Sequence, residues 1–186
     1  MKLLKNRKFA AAILVVCVLG SIFGFGGKYL AGQRGNVVKI FNDGTDTSAG
    51  EHVFSMDAYL DKCADYAAIM AREYKLHADA QSDALSRVET LASSISDGND
   101  YVARSEAYRQ FLTAVDDLYV EFKALGLSAD ESKAFEDAHT NILEDQADKI
   151  KRDGYHAAAE SFNAELGSFP AGIVSKLLGI GSMGPF

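Results

Sequence analysis

Acidic residues are missing from the first 42 positions of this 186-residue chain, which carry seven basic residues between Lys2 and Lys39. The 12 basic residues that remain share the rest with all 26 acids, leaving it a formal charge of −14. A body of that sign is repelled by phosphate backbones, so nucleic acid is excluded as a partner. Cysteine is also scarce. Cys17 and Cys63 cannot build a disulfide framework, and Cys17 lies within an apolar run, so Cys63 reads as a small core residue. Only two prolines interrupt the chain, and with 48% hydrophobic residues it has enough apolar material for a packed core rather than a disordered coil. No segment alternates with a period of two, which removes a sheet. No glycine-rich loop follows a strand, and nucleotide binding loses its usual cradle. The four histidines, His52, His77, His139 and His156, are scattered and build no Ser/His/Asp constellation.

What is present begins with a charge-free run, Phe9 to Phe25. Its 17 residues, extended by Leu3, Leu4 and Leu30, nearly cross a hydrocarbon core of about 30 Å. Lys2, Lys5, Arg7 and Lys8 precede it, as they would in a signal peptide, but no convincing cleavage site follows. Val16 before Cys17 also fails the lipoprotein pattern. The expectation is an uncleaved anchor over residues 1–27, with a cytoplasmic N-terminus and the acidic body outside the cytoplasm. Lys28, Arg34 and Lys39, just beyond the run, pull the other way. Gly20 and Gly24 form one small-xxx-small pair, too little to specify dimerisation.

Residues 28–52 read as a stalk and linker, because Asn42 to Gly50 is polar and turn-forming. From 53 to 169 apolar residues recur at helical spacing. Met56, Leu60, Cys63, Ala67, Met70 and Tyr74 make one stripe, and Leu85, Val88, Leu91, Ala92 and Ile95 a second. Tyr108, Phe111, Leu112, Val115, Leu118, Tyr119, Phe122 and Leu125 make a third and strongest, ended by Gly126. Ser128 and Glu131 have the spacing of a capping box, opening a last long helix through Phe135, Ala138, Ile142, Ala147 and Ile150 that Gly154 could bend. The fold class is therefore all-α: one transmembrane helix followed by an antiparallel up-and-down bundle. A break near residues 77 to 83 favours four bundle helices over three long ones.

The stretch from Gly154 to Pro170 places Tyr155, Phe162 and Phe169 seven residues apart, with Ala159 and Leu166 between, which predicts a packed seam. With Asn163 beside Phe162 and the stop at Phe169-Pro170, this stretch resembles the C-terminal signature of LemA family proteins. His156 and Phe162 depart from the family's usual Asn and Tyr. The resemblance covers about the last 60 residues and, by layout, the rest. It implies a membrane-anchored helical bundle with no agreed biochemical activity, and gives Tyr155, Phe162, Asn163, Phe169 and Pro170 a structural role.

Two further features bear on chemistry. Glu136 and His139 form an E-x-x-H pair such as holds metal in ferritin-like bundles, but the second candidate, Glu73 and His77, has i,i+4 spacing. A dinuclear-metal enzyme is thus the alternative to a non-catalytic protein with no catalytic, cofactor or metal residues. Glu144, Asp145 and Asp148, balanced by Lys149, Lys151 and Arg152, read as a solvated face. Residues 170–186 form a short apolar segment in which Pro170 opens a helix bearing Ile173, Val174, Leu177 and Leu178. Packing on the bundle is the expectation there, ahead of contact with lipid or a partner. The partners expected of the whole are the bilayer, through the first span, and other proteins or a second copy of the chain, at the cell envelope.

Overall fold

The computed structural model describes residues 7–46, 52–78, 82–98 and 100–186. Lys2 and Lys5 of the basic flank, and Thr47 to Glu51 of the turn-forming segment, lie outside them. Helix α1 runs unbroken over Arg7–Asp43. A two-residue antiparallel pairing of β1 (Thr45–Asp46) with β2 (His52–Val53) follows. The other helices are α2 (Met56–His77), α3 (Asp83–Ser96), α4 (Tyr101–Lys123), α5 (Ala129–Thr140), a π-helical turn (Asn141–Gln146), α6 (Ala147–Arg152), α7 (Gly154–Gly167) and α8 (Ala171–Leu178).

Each bundle helix starts where a short polar side chain can take up free backbone N–H groups. Ser55 accepts from Ala58, Ser82 from Leu85, and Asp100 from Val102 and Ala103. Ser128 forms the expected capping box with Glu131. Hydrogen bonds from the Ser128 hydroxyl and N–H hold the Glu131 carboxyl below its usual range.

Helices α2, α3, α4 and the α5–α6 unit make the four-helix bundle, and their paired ends give its direction. Arg104 on α4 binds Asp57 at the start of α2, while Tyr74 near the end of α2 binds Glu121 near the end of α4, so these two run parallel. Ser96 at the end of α3 binds Asp61 near the start of α2, and Lys123 at the end of α4 binds Glu136 on α5, so α3 and α5 run back. The up-and-down arrangement and the break between α2 and α3 stand as expected. The apolar stripes converge on one core, with Leu91, Leu112 and Tyr119 at its edge and Leu125, past the end of α4, left exposed.

Three features differ from the sequence reading. Residues 28–43 are not a stalk but the second half of α1: Leu30, Val37 and Phe41 are buried, and the helix ends only at Gly44, whose φ of +76° suits glycine. The last long helix is not continuous either. Asp153 stops α6 and caps α7 by accepting from the Tyr155 N–H at 2.8 Å, redirecting the chain away from the bundle. Finally, the seam through Tyr155 and Phe162 does not include Phe169, which is 84% exposed.

Helix α7 turns back along α1, from Tyr155 beside Phe41 towards Leu30 and Phe25. After a cis peptide between Phe169 and Pro170, α8 crosses α1 with Val174 and Leu178 over Gly26 and Gly27. Residues 179–186 then return along α1 past Arg34 and Val38 to the bundle end. The second half of α1 is thus wrapped by the segments that follow the bundle.

Candidate functional site

The densest set of specific interactions lies where α1, α7 and residues 183–186 meet the starts of α2 and α4. Phe41 is its centre, with no exposed surface. The rings of Tyr101 and Tyr155 meet it edge-on at centroid distances of 4.9 and 5.2 Å, and Phe186 lies at 5.6 Å. Edge-to-face pairs of this kind add about 1 kcal/mol each beyond the area they bury.

Arg104 closes the opposite side. It is 5% exposed, and its guanidinium carbon stands 4.8 Å from the Phe41 ring centre. Its Nε donates to the Ile95 carbonyl at 2.8 Å and its Nη2 to Asp57 Oδ1 at 2.7 Å. One side chain therefore joins α1, α2, the end of α3 and α4. A buried guanidinium needs this many partners, since removing it from water without them costs several kcal/mol.

The signature residues secure the returning segment. Tyr155 Oη donates to the Gly184 carbonyl at 2.8 Å, and burial raises its pKa above the ordinary phenol range. Asn163 Nδ2 donates to the Met183 carbonyl at 2.8 Å, and the Met183 N–H donates to Asn163 Oδ1 at 2.9 Å. Ser105 Oγ donates to the Pro185 carbonyl. Gly184 lies so close to α4 that a Cβ there would strike the Tyr101 carbonyl and Ser105. Phe162 is buried beneath this clasp, whereas Pro170 is exposed at the turn into α8. Sequence reasoning linked Tyr155, Phe162 and Asn163 as one structural group, but it missed Phe41, Arg104 and the role of Met183 to Phe186.

The E-x-x-H residues occupy a different place. Glu136 is bound by Lys123 at 2.9 Å. His139 is bound to Asp116 at 3.1 Å and stacked on Tyr119 at 4.0 Å. The Lys123 ammonium is the first cause of the lowered Glu136 pKa, as the Ser132 hydroxyl is the second. Glu73 pairs with its neighbour Arg72, and His77 lies edge-on to Phe122. These four residues do not converge, and no group of three or more metal-capable side chains occurs among the described residues. Between α4 and α5 the space is taken instead by the Phe122 and Phe135 rings, stacked at 3.8 Å.

The other distinctive surface belongs to α1 and α8. Leu14, Val16 and Phe25 are largely exposed, as are Phe169, Ile173 and Leu177 beside the end of that run. From Phe9 to Asp43, α1 is long and apolar enough to cross a membrane, and none of its most apolar stretch is buried. A scan against protein-family models returned no match for this chain, and neither did searches of curated proteins or of solved structures.

Proposed function

We propose that this chain is a membrane-anchored, non-catalytic helical-bundle protein of the LemA type that serves interaction or assembly at the cell envelope. The observation that carries the reading is the division of α1 into two halves on one unbroken helix. Its first half presents exposed apolar side chains, while its second half supplies Leu30, Val37 and Phe41 to the protein interior. An apolar surface of that size is unstable in water and suited to lipid. The junction residues then have a mechanical role: a force or displacement on the bundle reaches the span through Phe41, Arg104 and the Asn163 clasp, without a flexible linker between.

The four basic residues before the span favour a cytoplasmic N-terminus, with the acidic bundle on the other side, although Lys28, Arg34 and Lys39 pull the other way. The charge of −14 over residues 43–186 is concentrated in the bundle, keeps it from the anionic membrane surface and leaves its faces free for a protein partner. Cross-linking in intact membranes followed by mass spectrometry tests the role. Reproducible cross-links from the bundle to a second copy or a specific protein are expected, and recovery of monomer alone would contradict an assembly function.

A further inference from the structure

The charge-free part of α1 extends from Phe9 to Gly27, between Lys8 and Lys28. Its 19 residues span about 28 Å, close to the thickness of a hydrocarbon core. The boundary between lipid chains and headgroups therefore falls near Gly26 to Tyr29. Helix α8 sits at that level, with Val174 and Leu178 against Gly26 and Gly27.

Only one side of α8 is covered. Val174 and Ser175 are buried against α1, whereas Ile173 and Leu177 are 51% and 66% exposed. Ile173 and Leu177 follow at i and i+4 and so share one side of α8, and Phe169, just before the helix across the cis Phe169-Pro170 peptide, is exposed at its start. Lys176 is the single charged residue of α8, and it is exposed beside that face. A largely apolar cleft of about 480 Å³, bordered by Phe25, Tyr29, Leu30, Pro170, Ala171 and Val174, opens between α8 and α1. Glu165 on α7 stands at its edge. Apolar side chains on one face, a lysine beside them and a tyrosine at the end of the span are the features of a helix lying in a membrane interface.

We infer that α8 is a second membrane contact, an interfacial helix whose Ile173 and Leu177, with Phe169 just before it, enter the headgroup and upper acyl region beside the end of the span. The inference rests on the anchoring proposed above. Two points of attachment fix the tilt of the bundle, because α1 alone leaves rotation about its own axis free. Lys28 on α1 and Lys176 on α8, both exposed, supply positive charge near that level for anionic headgroups.

The chain contains no tryptophan, so one introduced residue reports its own surroundings. The full chain is reconstituted in phosphatidylcholine and phosphatidylglycerol vesicles as three separate variants, Phe169→Trp, Leu14→Trp in the span and Val120→Trp on the far part of the bundle. Each is exposed to nitroxide-labelled lipids and to aqueous iodide. The expected result for Phe169→Trp is blue-shifted emission, shielding from iodide, and stronger quenching by a nitroxide near the headgroup than by one near the chain end. Leu14→Trp responds most to the deep nitroxide, and Val120→Trp only to iodide. Quenching of Phe169→Trp by iodide as strong as that of Val120→Trp overturns the inference. So does shielding from iodide without lipid quenching, which would mean that protein covers the face. If Leu14→Trp responds to the deep nitroxide in either case, anchoring stands and the α8 contact alone fails. If Leu14→Trp escapes lipid quenching, anchoring fails and the inference fails with it.

Discussion

Asn163 and Met183 form a reciprocal pair in which one side-chain amide satisfies both backbone groups of a residue 20 positions later. A helix made after the bundle thereby holds the chain that returns to it. The pair explains why an Asn stands beside the apolar seam of α7, where its helix propensity is poor and its side chain would otherwise compete with the backbone.

Asn163→Ala removes both bonds and leaves two partly buried backbone groups unpaired. A loss of about 2 kcal/mol is expected, with a Tm lower by about 5 °C. Asn163→Asp keeps an acceptor for the Met183 N–H and loses the donor, so it should fall between. Thermal unfolding of the full chain in detergent, with limited proteolysis following release of residues 179–186, checks both.

Arg104→Met keeps length and apolar contact with Phe41 but abandons the Ile95 carbonyl and Asp57. Breaking a buried ionic site of this kind costs about 3 kcal/mol. Asp57→Ala should cost clearly less, because Asp57 is 36% exposed and water replaces part of the pair. Arg104→Lys does not restore stability, since a single ammonium cannot serve the fork of acceptors. Denaturant midpoints for the three variants give the order directly.

Asp153 caps α7 while buried, and burial raises its pKa despite the opposing hydrogen bond from Tyr155. A raised carboxyl pKa means that the ionised form is disfavoured in the fold. Its cost is therefore present at neutral pH and fades as pH falls through the raised value. Asp153→Asn retains the cap without the charge, so the variant should be at least as stable as the parent at pH 7, with its advantage shrinking at acid pH. A melting series across that range checks the sign.

Gly184→Ala should destabilise by about 2 kcal/mol, because the rigid neighbour of the new Cβ is the Tyr101 carbonyl. Gly181→Ala meets nothing within 4 Å and should stay within about 0.5 kcal/mol of the parent. Comparing the two by chemical denaturation separates close approach from a general intolerance of change in this segment.

Cys63 has no exposed surface, and burial pushes its thiol up to about 12. Maleimide at neutral pH should therefore leave Cys63 unmodified in the folded chain and label it after denaturation, as mass spectrometry of the labelled peptides will show.

The bundle was legible in the sequence because its stripes obey helical spacing and its helix starts carry Ser or Asp. Even the π turn left a trace: Ile142 and Ala147 are five residues apart in an otherwise three-and-four pattern, and the Ala147 N–H bonds back to the Ile142 carbonyl. Residues 28–43 were misread because glycines and a polar end resembled a linker, although Leu30, Val37 and Phe41 already lay on one helical face. Arg104 gave no signal, since a buried arginine looks like a surface one until its partners from distant positions are known. The exposure of Phe169 was hidden for a similar reason. Heptad spacing says which residues share a face, and the turn at Pro170 decides where that face ends.

Protease digestion of intact cells, and of the same cells after lysis, tests the central claim that α1 anchors an extracytoplasmic bundle. The account predicts that external protease removes the bundle and leaves a fragment beginning at the cytoplasmic end of α1 in the membrane. A bundle that stays whole until the cells are lysed, or is recovered without α1, would contradict it.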